Sequence, residues 1–158
     1  MNRRILSLLA CTAALAALFV AVAPAKAATT TSNINVSANV GATCTMTDAA
    51  VNFGSYDSTA AAPLDVASNL VVTCTKGTVG SVTLAGAAAR QMTSPAGATL
   101  SYQLFVDSTR NTAWAGTVAA PLTGTGAAQN VAVYGRIAAN QNVPAGTYTD
   151  VVVATLFF

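Results

Sequence analysis

The C-terminal stretch Tyr148-Thr-Asp-Val-Val-Val-Ala-Thr-Leu-Phe-Phe158 indicates the fold class of this protein. Its β-branched and aromatic residues are typical of a β-strand, and no polar tail follows them. A strand this apolar needs packing on both faces and neighbours on both edges, because unpaired backbone groups and exposed aromatic side chains cost free energy. We therefore expect the segment to lie in a sheet that needs one more strand.

A second segment, Asn33-Ile-Asn-Val-Ser-Ala-Asn-Val40, alternates polar and apolar residues at every position. In a strand, such alternation places all apolar side chains on one face. The segment is either the first strand of its own domain or a strand that is donated to a neighbouring molecule, and periodicity fits both interpretations. In the second case the side chains that enter the neighbour are Ile34, Val36, Ala38 and Val40, while Asn33, Asn35, Ser37 and Asn39 face out.

The start of the chain has the pattern of an export signal. A basic beginning, an apolar run over Ile5–Val22 and an A-x-A site at Ala25–Ala27 predict that residues 1–27 form a signal peptide. A retained membrane anchor and a lipoprotein cleaved before Cys11 are the alternatives. We expect export to the periplasm and then to the cell surface.

Removal of the signal leaves a nearly neutral chain, which argues against nucleic acid as a partner. No basic patch remains that could hold a phosphate backbone. The remaining cations are Lys76, Arg90, Arg110 and Arg136, and the acidic residues are Asp48, Asp57, Asp65, Asp107 and Asp150.

Two cysteines follow the signal, Cys44 and Cys74. An even pair in an exported protein predicts a disulfide. Closing a loop of this length stabilises a fold by about 3–4 kcal/mol in the chain-entropy model. Metal binding is the alternative, but the chain has no histidine and its cysteines are far apart, so we expect no metal and no cofactor.

The remainder of the chain reads as strands and turns of one all-β domain, which suggests a two-sheet sandwich. Val, Thr, Ala, Gly and Ser dominate, and no stretch shows a convincing amphipathic helix. The predicted strands are Ile34–Val40, Ala50–Phe53, Asn69–Thr75, Ser81–Ala85, Thr99–Val106, Ala128–Ala138 and Thr147–Phe158.

Catalytic chemistry is poorly represented, so we do not expect an enzyme. The chain has neither His nor Glu, and its Asp residues are scattered among turn-like positions. A binding module is the more serious alternative, because aromatic side chains can form a platform for sugars. The same side chains can instead fill the sandwich core, which we favour. They are Trp114, Tyr102, Tyr134 and Tyr148.

The segment Val133–Phe158, which contains Arg136-Ile-Ala-Ala-Asn-Gln-Asn-Val-Pro-Ala-Gly-Thr-Tyr148, strongly resembles the end of a spore coat protein U domain. This family includes the subunits of archaic chaperone–usher pili of the Csu type. Three further stretches resemble the family in the same order along the chain. They are Asn52-Phe-Gly-Ser-Tyr56, Val71-Val-Thr-Cys74, and Leu100-Ser-Tyr-Gln-Leu-Phe-Val-Asp107.

The resemblance implies an incomplete immunoglobulin-like β-sandwich that is completed by a donated N-terminal strand. A periplasmic chaperone would supply the missing strand first, and an identical or related pilin subunit would replace it after passage through an outer-membrane usher. The implied organisation is a donor segment over residues 28–41 and a pilin domain over residues 42–158. Such a subunit would form a surface pilus that supports adhesion and biofilm formation. A non-fibrous spore-coat or surface-layer protein is the alternative within the same family.

We expect the edge that receives the donated strand to include Thr147–Phe158. Alternation places one set of its side chains on a common face, but sequence does not decide whether that face meets the groove. This set consists of Val151, Val153, Thr155 and Phe157.

Overall fold

The computed structural model describes residues 25–158, so most of the predicted signal peptide lies outside the described residues. The chain divides into two compact units, one ending at Ala38 and the other spanning Asn39–Phe158. In the first unit, residues 25–38 contain neither helix nor strand, and their side chains are exposed. Among the described residues, no helix has the length and apolar character needed to cross a membrane.

The second unit consists of eight β-strands and contains no helix. Along the chain, the strands are separated by turns and loops. The strands are β1 Cys44–Thr47, β2 Leu64–Cys74, β3 Val79–Leu84, β4 Arg90–Thr93, β5 Thr99–Phe105, β6 Ala119–Thr123, β7 Ala128–Ile137 and β8 Ala154–Phe157.

These strands form two antiparallel sheets. Sheet A has the order β1-β2-β7-β5-β4, and sheet B has the order β6-β3-β8. The longest pairing is between β2 and β7, which stay in register from Leu64 opposite Ile137 to Thr73 opposite Ala128. The predicted all-β two-sheet fold is therefore confirmed.

The individual strands agree with the sequence predictions only in part. The structure contains strands at four of the predicted positions, as β2, β3, β5 and β7. The predicted strand Ala50–Phe53 is wrong, because these residues have no ladder partner, and none forms at Ile34–Val40 either. Strands β1, β4 and β6 were not predicted, and the predicted strand Thr147–Phe158 contributes a ladder only at Ala154–Phe157.

The core lies between the two sheets and is filled by alternate side chains of the strands. Trp114, in the connection after β5, is fully buried, and its backbone N–H donates to Leu104 O at 2.7 Å. Arg90 is buried beside it, and its guanidinium donates to Ala85 O at 2.7 Å and to Trp114 O at 3.1 Å. These bonds tie the start of β4 to the end of β3 and to the tryptophan.

The predicted disulfide is present and connects Cys44 to Cys74. These residues are direct partners in the ladder between β1 and β2. Strand β1 is an edge strand, and β2 is its only neighbour within the described part of the chain. The disulfide therefore secures an edge that the short ladder would hold weakly by itself.

The outer face of sheet A carries a charged cluster. Arg136 binds Asp65 through two hydrogen bonds of 2.7 Å each, and Arg110 Nε lies 3.3 Å from the same carboxylate. The hydrogen bond from Arg136 is the main reason that the pKa of Asp65 is lowered. Arg110 also lies over the Tyr134 ring, 5.7 Å from its centroid. This cluster joins the loop after β5 to the neighbouring strands β2 and β7.

Asp107 organises the loop that carries Arg110. Its carboxylate accepts hydrogen bonds from the Thr109 hydroxyl and from the backbone N–H groups of Asn111 and Thr112. These bonds stabilise the charged form, with the Thr109 hydroxyl as the largest cause, and lower the pKa of Asp107 well below its usual value of 3.8.

The lowered pKa of Asp107 predicts acid-sensitive folding. Because the unfolded chain then binds the proton more readily than the folded chain, this contribution is complete above the usual pKa of 3.8 and is lost as the pH falls toward the lowered value. The free energy of unfolding, measured by denaturant between pH 6 and pH 2, should therefore fall in acid. Asp107→Asn should show a smaller fall, and an identical pH profile in the two proteins would contradict the assignment.

Candidate functional site: a groove along the last strand

One edge of β8 has no partner among residues 25–158. The strand pairs with β3 on one side, where Phe157 lies opposite Ser81 and Ala154 opposite Leu84, and it ends the order of sheet B. Just before β8, the Ala85 N–H donates to Val153 O at 2.8 Å, which continues this pairing.

The hydrogen-bond pattern identifies which backbone groups face the free edge. In an antiparallel ladder, alternate residues bond to the same neighbour. Val153 bonds toward β3, and so the odd-numbered residues of β8 point there as well. The N–H and C=O groups that face away from β3 belong to Val152, Ala154 and Leu156.

The C-terminal segment is also paired on one side only in the residues before β8. Thr149 exchanges two backbone hydrogen bonds with Thr93 of β4, at 2.9 and 3.2 Å. Thr149 therefore bonds on the same side of the chain as Val153. The C-terminal segment is thus paired along one side, first with β4 and then with β3, and it presents its other side to a groove.

The groove has a volume of about 260 Å³ and reaches into the core. One wall is the C-terminal segment from Tyr148 to Ala154, and the opposite wall is the extended stretch from Ala49 to Phe53. Among residues 25–158, no hydrogen bond joins the two walls. Its floor is apolar and consists of Leu70, Leu84, Met92, Leu104 and Val133.

The groove continues into a wider cleft of about 740 Å³, which is bounded by residues 50–56 and by Val143–Tyr148. The two cavities share Val51, Phe53, Met92 and Tyr148. Because they share these residues, the groove and the cleft adjoin and form one channel. A single extended chain is the shape that such a channel accommodates, because it can pair with a free edge while its side chains enter the core.

The wall opposite β8 is held to sheet A by side chains and not by a ladder. Ser68 donates to Ala50 O at 2.7 Å, and the Tyr56 hydroxyl donates to Ala138 O at 2.9 Å. Phe53 packs against Gly135 of β7, where a Cβ atom would lie 2.7 Å from the phenyl ring. Glycine at that position is therefore what lets the ring lie close to the sheet.

A hydrogen bond between Tyr102 and Asp150 spans the groove floor. The Tyr102 hydroxyl donates to Asp150 Oδ2 at 2.6 Å, and both residues line the groove. Burial, followed by the neighbouring Asp150 carboxylate, raises the pKa of Tyr102 far above its usual value, so the phenol stays protonated and remains a donor. The bond joins β5 of sheet A to the segment that leads into β8.

We expect Tyr102→Phe to lower the free energy of unfolding by about 1–2 kcal/mol, because a hydrogen bond to a charged group is lost while Asp150 regains water. Denaturant unfolding of a chain that consists of residues 28–158 measures this loss. Tyr134→Phe is the matched control, since the Tyr134 hydroxyl has no hydrogen bond among the described residues. Equal losses in the two variants would contradict the role of the Tyr102–Asp150 bond.

The four residues predicted for the receiving edge share one face, and that face is turned away from the groove. Their side chains are exposed on the outside of sheet B. The side chains that face the core are those of Val152, Ala154 and Leu156. Sequence alternation had left the choice of face open. The outward set consists of Val151, Val153, Thr155 and Phe157.

The predicted donor residues are exposed and unpaired in this structure. Ile34 and Val36 are each 87% exposed, and Val40 is 79% exposed. Ala38 is also exposed, and none of the four lies in a strand.

The aromatic residues considered as a binding platform are not exposed. Trp114 and Tyr102 are buried, and Tyr134 and Tyr148 are half-buried. Trp114, Tyr102 and Tyr148 pack in or against the core, as the core interpretation predicts. Tyr134 does not, because it lies on the outer face of sheet A, where Arg110 covers its ring. Within residues 25–158, no group of three or more His, Cys, Asp or Glu side chains is placed to hold a metal ion.

A chain of similar structure occurs in the crystal structure of the CsuC–CsuE chaperone–tip adhesion subunit pre-assembly complex from the archaic chaperone–usher Csu pili of Acinetobacter baumannii. The superposition has a TM-score of 0.51 and 25% sequence identity, and it covers 75% of the present chain. The present chain spans 40% of the length of that chain. This likeness confirms the predicted immunoglobulin-like sandwich.

The sequence comparisons cover nearly the whole protein. Protein U of Myxococcus xanthus is 40% identical over 166 aligned positions, which include 90% of this chain and 93% of the relative. The model of the Spore Coat Protein U domain matches residues 30–155, which span both walls of the groove and most of the predicted donor segment. The chain belongs to the Spore Coat Protein U domain family.

Proposed function

We propose that this protein is the structural subunit of a surface pilus that is assembled by the chaperone–usher pathway through donor-strand exchange. The observation that carries the proposal is the free edge of the C-terminal segment, which continues into β8, beside an apolar groove. An edge of this kind binds an extended segment through main-chain hydrogen bonds, and pockets in the groove select its side chains. The likeness to a chain of the Csu pre-assembly complex supports this function.

The donated segment is Ile34–Val40 of the neighbouring subunit. Its exposed apolar side chains, at every second position, match a groove that opens on one side into the core. Burying each Ile or Val side chain contributes about 1.5–3 kcal/mol, so Ile34, Val36 and Val40 together supply several kcal/mol. Backbone pairing with Val152, Ala154 and Leu156 fixes the position of the strand along the groove.

The remaining steps of the proposal follow from the family. Residues 1–27 direct export to the periplasm, where a chaperone covers the groove until an outer-membrane usher exchanges it for the donor segment, residues 28–41, of the next subunit. Residues 42–158 form the receiving domain. The finished pilus supports adhesion and biofilm formation.

A denaturing gel of protein sheared from the cell surface tests the proposal. Subunits joined by exchanged strands should run as a ladder of multimers without boiling and collapse to one band after boiling, because each link separates only when the domain unfolds. A single monomer band in both lanes would contradict strand exchange.

A non-fibrous coat or surface-layer protein is the second candidate. It is favoured by the match to Protein U over 93% of that relative, compared with 40% of the chain from the pilus complex. In this case the protein should be released from the surface as monomers, and residues 33–40 should fold into the groove of their own chain. The same gel separates the two candidates.

A further inference from the structure

Large exposed apolar side chains are confined to two places in the described residues. Eight such side chains are exposed in residues 25–158, and three of them, Ile34, Val36 and Val40, belong to the donor segment. The other five lie at the end of the chain or on the neighbouring strand β3. They are Val79, Val151, Val153, Phe157 and Phe158.

Four of these five side chains form a patch on the outside of sheet B. Phe157 lies opposite Ser81 on the outer face, which places Val79 diagonally beside it on β3. Val153 and Val151 continue the same face along the C-terminal segment, with exposures of 60% and 89%. We call Val79, Val151, Val153 and Phe157 the outer patch.

The outer patch belongs to a face without charge. Strands β3, β6 and β8 contain no Asp, Glu, Lys or Arg. The outer face of sheet A is different, because it carries Asp65, Arg136 and Arg110. An uncharged apolar face loses little favourable hydration when another surface covers it, and the charged face loses more.

Donor-strand exchange would leave the outer patch uncovered. An inserted strand lies in the sheet beside β8, about 4.8 Å away, and its apolar side chains point into the core. Its outward residues are Asn33, Asn35, Ser37 and Asn39, which would lie next to the patch and not over it. The patch therefore needs a different covering surface.

We propose that the outer patch is a second contact surface that packs against the body of the copy donating its strand. This inference rests on the proposed function. Only Gly41, Ala42 and Thr43 separate Val40 from Cys44, where the donating domain begins its first strand. A linker of this length spans at most about 14 Å from Val40 to Cys44, so the donating domain must lie directly beside the end of the groove.

The outer patch reaches both ends of the groove, so the direction of the donated strand does not change which surface it meets. The patch extends along the C-terminal segment from Val151 to Phe157, and Val79 lies near its far end. Whichever end of the groove the donor leaves, the patch therefore has an exposed apolar side chain at that end.

The surface that the donating copy would present is also nearly uncharged. Near its Cys44, the turn after β2 and the turn before β7 meet, and Gly77 N–H donates to Gly124 O at 2.8 Å. Lys76 is the single charged residue of this end, which consists of Thr43, Thr75–Gly77 and Gly124–Gly126. Two such surfaces can associate without burying an unpaired carboxylate.

The test combines three isosteric substitutions, Val79→Thr, Val151→Thr and Val153→Thr. Threonine keeps the β-branched shape and the strand preference, so the fold should tolerate the changes at exposed positions. Fibres are imaged by electron microscopy, and sheared protein is run on the gel without boiling. The matched control places small polar changes on the outer face of sheet A, as Ala67→Ser, Val71→Thr and Ala132→Ser.

We expect the triple variant to keep the unboiled ladder within about twofold of the wild type but to lose the regular spacing and straightness of its fibres. The control should keep both. Fibres of normal form from the triple variant would overturn the inference. If those fibres also lost adhesion to an apolar surface, the patch would bind foreign material instead of another copy. A wild type without a ladder would instead overturn the proposed function.

A photo-reactive residue at position 151 gives a second readout that does not depend on fibre shape. On illumination of assembled fibres, we expect crosslinks to residues 43, 75–77 or 124–126 of another copy. Crosslinks to other proteins alone, or to the donor segment alone, would overturn the inference.

Discussion

Replacing Val36 with aspartate is expected to abolish assembly of the subunit into multimers. Val36 lies in the middle of the donor segment and is 87% exposed before exchange, so the change should leave the folded domain intact. After exchange, the carboxylate would enter an apolar groove where it has no partner. Loss of the valine burial alone weakens the link by about 1.5–3 kcal/mol, or roughly 10- to 100-fold, and the unpaired charge adds to this.

The matched control for this variant is Ser37→Asp, one residue further along the same segment. Because strand alternation turns position 37 away from the groove, the same charge should stay in water there and the ladder should persist. A ladder of normal intensity from the Val36→Asp variant would contradict the donor assignment. Loss of the ladder in both variants would point to charge in the segment as a whole and would contradict the proposed facing of its side chains.

The pairing of the C-terminal segment explains why the sequence alone did not show which of its two faces points into the groove. Val151, Val153, Thr155 and Phe157 look almost as suitable for a core as Val152, Ala154 and Leu156 do, because Thr155 is the one polar residue in the two sets. What separates them is the pairing of Val153 with Ala85 and of Thr149 with Thr93. Those bonds depend on the folding of distant strands, and a local pattern does not contain them.

The strands that were not predicted have only weak strand signals in their local sequence. Strand β6 contains Pro121, which lies on the edge of sheet B where a missing N–H costs little. Strand β1 is only four residues long and depends on the ladder to β2. The opposite error, at Ala50–Phe53, has the same origin, because a segment with strand-like residues becomes a strand only when a partner lies beside it.

The features that were predictable depend on composition and alternation over longer stretches. Strand β7 pairs along its length with β2, and its buried residues Val133 and Ile137 repeat with the period of a strand. The disulfide was predicted from the count of cysteines after the predicted signal peptide. Family resemblance added the identity of the domain, which no local physical pattern would provide.

Removing the disulfide should have the largest effect on stability. The double variant Cys44→Ser, Cys74→Ser avoids a free thiol and is expected to lower the free energy of unfolding by about 3–4 kcal/mol, because the unfolded chain regains the entropy of a 30-residue loop. Thr45→Ser with Thr73→Ser is the matched control, since these residues form the next pair of the same ladder. A free energy of unfolding, measured with denaturant, that lies within about 1 kcal/mol of the control value would contradict the prediction.

Removing the disulfide should also weaken one wall of the groove. Strand β1 has only β2 as a neighbour, and the chain runs from its end at Thr47 directly into the wall formed by Ala49–Phe53. That wall is held by single side-chain contacts, so a β1 that separates from β2 would let the groove widen. We therefore expect the double variant to give a weaker unboiled ladder at equal subunit yield. A ladder of normal strength would mean that Ser68 and Tyr56 hold the wall without help from β1.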